Sequence, residues 1–215
     1  MIENFLEKYD SYFARNDSKI ILDIGSRDGL QSLEFAAAFP NANIYAFECN
    51  PDTIPICIDN CKKFKSISII EKAVSDKDGE ISFFPIDLGK NYKTDTGFSS
   101  IFKKNKDWND PQIQKEIKVL STRLDTWAKQ CNIPNIDIIW MDIQGAELLA
   151  LHGLGEYINN IKIIQLEASL ATIYDGQCFT NDIEDYLIKN KFKKIYNSPN
   201  LYSDADLIFI NERYA

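Results

Sequence analysis

Ile20-Ile21-Leu22-Asp23-Ile24-Gly25-Ser26-Arg27-Asp28-Gly29 is the stretch whose reading decides the fold. An apolar run carries an acid near its end, and two glycines then frame a tight turn into a helical pattern. A second apolar run, Ile44-Tyr45-Ala46-Phe47, stops at Glu48. Strand, glycine turn, helix and a second strand ending in an acid make the pattern of a nucleoside site, where that acid takes the two ribose hydroxyls. The turn reads D-x-G-x-x-x-G rather than G-x-G-x-x-G. A pyrophosphate wants bare backbone at a helix N-terminus, and Asp23 and Asp28 repel it. The same acids attract a cationic sulfonium ligand that carries an amino group. The turn therefore points to S-adenosylmethionine (SAM) and away from a nicotinamide dinucleotide.

The pattern continues along the chain. Residues 3–15 read as an amphipathic helix within an N-terminal segment of residues 1–18. Strands are predicted at 19–24, 43–48 and 67–72, with helices at 29–38 and 51–62 between them. This β-α-β-α-β run predicts a parallel sheet in an α/β fold. Residues 80–84 and 115–121 then read as paired strands, so 80–121 forms an inserted hairpin. The polar stretch 86–113 between them is long for an irregular segment, which marks it as a substrate-facing loop. The α/β rhythm resumes with strand 136–141, helix 146–158, strand 161–166, helix 180–190 capped by Thr180, and strands 192–197 and 205–210. No repeat or linker interrupts it, so residues 1–215 read as one domain.

The 215 residues are 45% hydrophobic and 26% charged, with a formal net charge of −8. An acidic chain does not suit a nucleic-acid partner, which needs a basic face. Five cysteines without framework spacing fit reduced thiols and a cytoplasmic setting. Cys57 and Cys61 read as small apolar residues of a helix rather than metal ligands, with one histidine in the chain to complete a zinc site. No signal peptide or membrane-length apolar run appears, so no membrane insertion is expected. The abrupt start also allows the chain to be one domain of a longer protein.

In open α/β sheets the site lies beyond the C-terminal ends of the strands. Asp23, Glu48, Asp142 and Glu167 each fall at such an end and are expected to converge. Asp23 suits the ligand's amino group. Gly25, Ser26, Arg27 and Gly29 form the turn, Cys49 and Asn50 lie beside the nucleoside, and Ala73 and Val74 lie at the adenine edge. Asp142 follows the strand that faces the reactive end. It can take a proton from an attacking hydroxyl, or hold a divalent ion with Glu167. Gln144 can orient the substrate. Glu147 is equally readable as a first-turn helix acid. His152, late in its helix, reads as an ordinary helix position. Ser99, Ser100, Phe98 and Trp108 of the long loop are expected to shape the acceptor site. Asn197-Ser198-Pro199-Asn200 lacks the second proline and the aromatic of an amino-methylating motif and is set aside.

With these residues in view, the chain resembles the FkbM family of SAM-dependent methyltransferases. The likeness rests on Asp23-Ile24-Gly25 through Gly29, on Tyr45-Ala46-Phe47-Glu48 with Asn50-Pro51, and on Lys72-Ala73-Val74-Ser75-Asp76 with Gly79. It continues in Thr122-Arg123-Leu124-Asp125, in Asp142-Ile143-Gln144-Gly145-Ala146-Glu147 with Leu151-His152-Gly153, and in Leu166-Glu167. Ser26-Arg27-Asp28, Cys49, Trp140 and Gln144 depart from residues common in the family; many members have glutamate where Gln144 stands. The resemblance implies a Rossmann-like class I methyltransferase fold: a mostly parallel seven-stranded sheet, its last strand antiparallel, helices on both faces, and the inserted β-hairpin. It also implies O-methylation, with a sugar or glycan hydroxyl as acceptor. The alternatives are a small metabolite or other acceptor, or a nucleoside-binding module without chemistry.

Overall fold

A computed structural model describes residues 2–90, 96–198 and 203–215. The chain begins with α1 (Ile2–Asp10), β1 (Ile20–Ile24), α2 (Leu30–Ala38), β2 (Asn43–Phe47), α3 (Ile54–Cys61) and β3 (Ile67–Ile70). It continues with β4 (Ala73–Val74), β5 (Gly79–Phe83), β6 (Ile117–Thr122), α4 (Leu124–Gln130), β7 (Ile138–Met141) and α5 (Glu147–His152). It closes with β8 (Ile163–Ser169), α6 (Thr180–Lys189), β9 (Phe192–Asn197) and β10 (Asp204–Asn211).

Seven strands form one sheet in the order β3-β2-β1-β7-β8-β10-β9. The pairs from β3 through β8 are parallel, and β10 runs antiparallel to both β8 and β9. This is the expected Rossmann-like class I methyltransferase sheet, with its last strand reversed. Strand alternation divides the apolar residues between two cores. On β1, Ile20, Leu22 and Ile24 enter the core that Trp127 of α4, Leu151 of α5 and Leu187 of α6 complete. Ile21 faces the other core, with Phe5 and Tyr9 of α1 and Phe35 and Phe39 of α2. Asp23 shares the face of Ile21, which turns its carboxyl toward α2.

The insert is also a sheet. β6 pairs antiparallel with β5, as the hairpin reading expected, and parallel with β4, which that reading missed. Other elements differ from expectation. The N-terminal helix stops at Asp10 rather than residue 15, and the Tyr9 hydroxyl meets Ser18 Oγ at 2.7 Å as the chain turns back. α4 was not predicted; Leu124, Trp127 and Ala128 give its buried face at i, i+3 and i+4. The helix expected over 146–158 ends at His152, and a separate 3₁₀ turn covers Gly155–Asn160. Glycines at 153 and 155 weaken a continuous helix there. Phe179 takes the N-cap position of α6, while Thr180 is its first helical residue and donates to the Ser169 carbonyl at 3.1 Å. Residues 91–95 of the long loop, and Pro199 and Asn200, lie outside the described residues.

Candidate functional site

A cavity of about 340 Å³ opens where the ends of β1, β2 and β7 meet the insert. That volume lies within the usual range of small-molecule sites. Asp23, Gly25, Ser26, Arg27, Glu48, Cys49, Asn50, Ala73, Val74 and Asp142 all line it, as does Gln144. Gly29 and Glu167 are not part of its wall. Gly29, with φ 79, caps α2, and a Cβ there would lie 2.6 Å from Cys61 Sγ, so its role is to seat α2 on α3. Gly25 has φ 85, and a Cβ there would come within 1.9 Å of the Asp142 carbonyl oxygen. The first turn is therefore bare because it runs against the end of β7.

Glu48 is clamped by its own neighbourhood. Asn50 N donates to Oε1 at 2.6 Å and Arg27 N to Oε2 at 2.7 Å. Glu48 also lines the cavity, and a carboxylate oxygen that accepts one amide bond has a second lone pair for another donor. Asp23 lies deeper and accepts from Ser32 Oγ of α2. Burial, with the nearby Glu48 and Asp142 charges, pushes its carboxyl up to about 7. A cationic ligand above it favours the ionised form. On the same wall, the Gln31 side-chain nitrogen is a buried donor without a partner among the described residues. A ligand acceptor group would satisfy it. These features fit SAM, for which Glu48 would accept ribose hydroxyls and Asp23 would face the cationic end.

At the other end Asp142, open to the cavity, is drawn into a network with Gln144 and Glu167. Gln144 Nε2 donates to Asp142 Oδ1 at 2.7 Å and to Glu167 Oε2 at 2.9 Å. Surrounding protein raises the Asp142 carboxyl above its ordinary range, and burial beside Asp142 pushes Glu167 up to about 9. Glu167 was expected at a strand end, but β8 runs on to Ser169 and pairs Glu167 with Asp206. The arrangement does not fit a divalent ion. The two carboxyl groups are spanned by an amide, and no group of three or more His, Cys, Asp or Glu among the described residues is placed to hold a metal.

Glu147 resolves to the structural alternative. Its Oε1 accepts from Ile143 N at 3.1 Å and Gly145 N at 3.2 Å, closing the turn after β7. His152 is exposed and packs edge-on against Tyr186, with ring centroids 4.8 Å apart. Cys57 and Cys61 are buried in α3, and all five cysteines are unpaired. Of the loop residues singled out, Ser99 and Ser100 reach the cavity and Phe98 and Trp108 do not; Thr96, Gly97 and Ile101 take that wall. Sequence reasoning missed Gln31, whose one signal is its place in the first turn of α2. It also missed Tyr174, which donates from the loop after β8 to Gln144 Oε1 at 2.9 Å.

The buried acids set a pH dependence. Burial also pushes Glu147 up to about 7. A carboxyl with a folded pKa above its unfolded one favours folding at low pH, and that contribution is lost as pH rises through the folded value. Asp10 and Asp125, held low by Arg15 and Arg123, act in the opposite sense, but only below about pH 4. The Tm of the SAM-free protein is therefore expected to fall between about pH 5 and pH 8. A Tm that is flat or rising across that window contradicts this account.

The chain matches the methyltransferase FkbM domain over residues 23–194, most of its length. It belongs to the FkbM methyltransferase family. The expectation of a SAM-dependent O-methyltransferase stands with that membership. Over 171 residues the chain is 32% identical to the 2-O-methyltransferase NoeI of Sinorhizobium fredii, covering 78% of this chain and 70% of that protein. It is 24% identical over 154 residues to the hexuronic acid methyltransferase AglP of Haloferax volcanii, covering 70% of this chain and 56% of that one. Among solved structures, the SAM-bound magnesium protoporphyrin IX methyltransferase of Synechocystis superposes with a TM-score of 0.53. That match has 11% identity and covers 98% of this chain and 77% of the other, so it speaks to fold alone. No helix among the described residues is long and apolar enough to cross a membrane.

Proposed function

We propose that this FkbM family member transfers the methyl group of SAM to a hydroxyl oxygen of a sugar or glycan. The observation that carries the reading is Asp142: a carboxyl open to the cavity, at the end of β7, facing a wall that includes Ser99 and Ser100. A hydroxyl that attacks carbon must shed its proton, and a carboxyl that burial raises above its ordinary range is a better acceptor for it. SAM supplies the methyl group on a cationic sulfur. The chain's own residues do the rest. Glu48 takes the ribose hydroxyls, Asp23 lies near the methionine amino group, and Ala73 and Val74 lie along the adenine edge. Asp142 accepts the hydroxyl proton as the oxygen–carbon bond forms and the carbon–sulfur bond breaks. The insert helps to shut out water and align the attack, where most of the rate gain arises.

A sugar acceptor is supported by the names of the two relatives, one a 2-O-methyltransferase and one a hexuronic acid methyltransferase. In this reading residues 1–215 act as one methyltransferase domain. The test is formation of S-adenosylhomocysteine with SAM and panels of glycans, small metabolites, peptides and RNA. Turnover with carbohydrate is expected. Turnover with another class alone overturns the sugar assignment, and SAM binding without turnover on any panel favours a nucleoside-binding module.

A further inference from the structure

Hydroxyl methylation by itself does not explain the side chain that occupies the turn after β7. Gln144 sits at φ 55, a region that residues other than glycine rarely enter. Glu147 and the Ser100 hydroxyl, which donates to the Gln144 carbonyl at 2.7 Å, hold it there. From that backbone the side chain spends both N–H bonds on carboxyl groups, one on Asp142 and one on Glu167. An amide has nearly the same shape when turned end for end. Reversed, it would aim its oxygen at both carboxyl groups. The Tyr174 hydroxyl opposes that reversal, because it donates to Oε1 from the far side.

Tyr174 is itself braced. It is 1% exposed, and burial raises its phenol further, so it stays a donor. Gln177 Oε1 accepts from Tyr174 N at 2.6 Å and Ile173 N at 2.7 Å, and Gln177 Nε2 reaches the Ala171 carbonyl at 2.9 Å. One glutamine side chain thus folds the loop between β8 and α6 around a single delivered hydroxyl. The insert supports it from outside, since Asn105 N donates to the Ile173 carbonyl at 2.8 Å.

We propose that Tyr174 is a positioning residue: its hydroxyl locks the Gln144 amide, which holds Asp142 and Glu167 in register so that Asp142 faces the acceptor hydroxyl. Two neutral N–H donors there do what a cation would otherwise do between neighbouring carboxyl groups. The proposal rests on reading the cavity as the methyl-transfer site, yet the lock is observable without any acceptor. Nitrogen-15 spectra of the wild-type protein, with the Gln144 side-chain amide assigned by its loss in Gln144→Leu, read it directly. We expect two widely separated N–H resonances that exchange slowly with water. In Tyr174→Phe we expect them to converge and exchange at least about tenfold faster, while SAM affinity stays within about threefold.

Once an acceptor is known, Tyr174→Phe is expected to lower kcat by about tenfold with KM nearly unchanged, and to add nothing in a Gln144→Leu background. A wild-type amide pair with free-glutamine shifts and fast exchange overturns the lock, whether or not the variant folds. So does an amide indifferent to Tyr174→Phe, or a kinetic effect of Tyr174→Phe that persists without Gln144. Failure of SAM to bind wild-type protein would instead overturn the methyl-transfer reading and leave the amide result standing.

Discussion

Asp142→Asn is expected to lower kcat for methyl transfer by about 10²- to 10⁴-fold, the usual worth of a positioned proton acceptor. SAM affinity should change by no more than a few-fold. The substitution keeps size and an oxygen facing Gln144 Nε2, which now lies 2.7 Å from Oδ1. What it removes is basicity. Asp142 is open to the cavity, whereas Glu167 lies outside the cavity wall and is held protonated by burial, pushed up to about 9. Of the two carboxyl groups, then, Asp142 is the one that lines the cavity where an acceptor would lie. Glu167→Gln should accordingly cost less, because a neutral side chain already stands there. Single-turnover methyl transfer with saturating SAM separates the chemical step from binding. Equal losses in the two variants, or a full rate in Asp142→Asn, would remove Asp142 from the role of proton acceptor.

The legible parts of this molecule are those that a local rule fixes. β1 announces itself because Ile20, Leu22 and Ile24 must bury one face and Ile21 the other, and the glycines at 25 and 29 leave one way out of the strand. Glu48, Asp142 and the turn residues follow from the rule that ligands gather at strand ends. Parts set by distant partners were not legible. The sequence shows Glu167 closing an apolar run, but β10 extends β8 two residues beyond it. β4 is two residues long and exists because β6 lies beside it. Tyr174 comes from a loop without periodicity, and its partner lies thirty positions earlier in the chain. Gln144 was visible as a departure from the glutamate that many family members have there. That its amide spans two carboxyl groups required the fold.

Glu48→Ala is expected to weaken SAM binding by about a hundredfold or more. Hydrogen bonds to a charged group contribute about 1.5–3 kcal/mol each, and two ribose hydroxyls give at least about 3 kcal/mol, roughly two decades in Kd. The alanine variant also releases the Asn50 and Arg27 amides that Glu48 now holds at 2.6 and 2.7 Å. A loss in that variant alone could therefore come from a disordered turn. Ligand chemistry separates the two causes. If Glu48 binds the ribose, a SAM analogue lacking one ribose hydroxyl should bind wild-type protein about tenfold or more weakly than SAM, and the alanine variant should scarcely distinguish the two. If Glu48 only braces the turn, wild type and variant should show the same preference between the ligands. Calorimetry with SAM, the deoxy analogue and NAD decides it. NAD should bind neither protein, because Asp23, Asp28 and Glu34 stand around the turn where a pyrophosphate would have to lie.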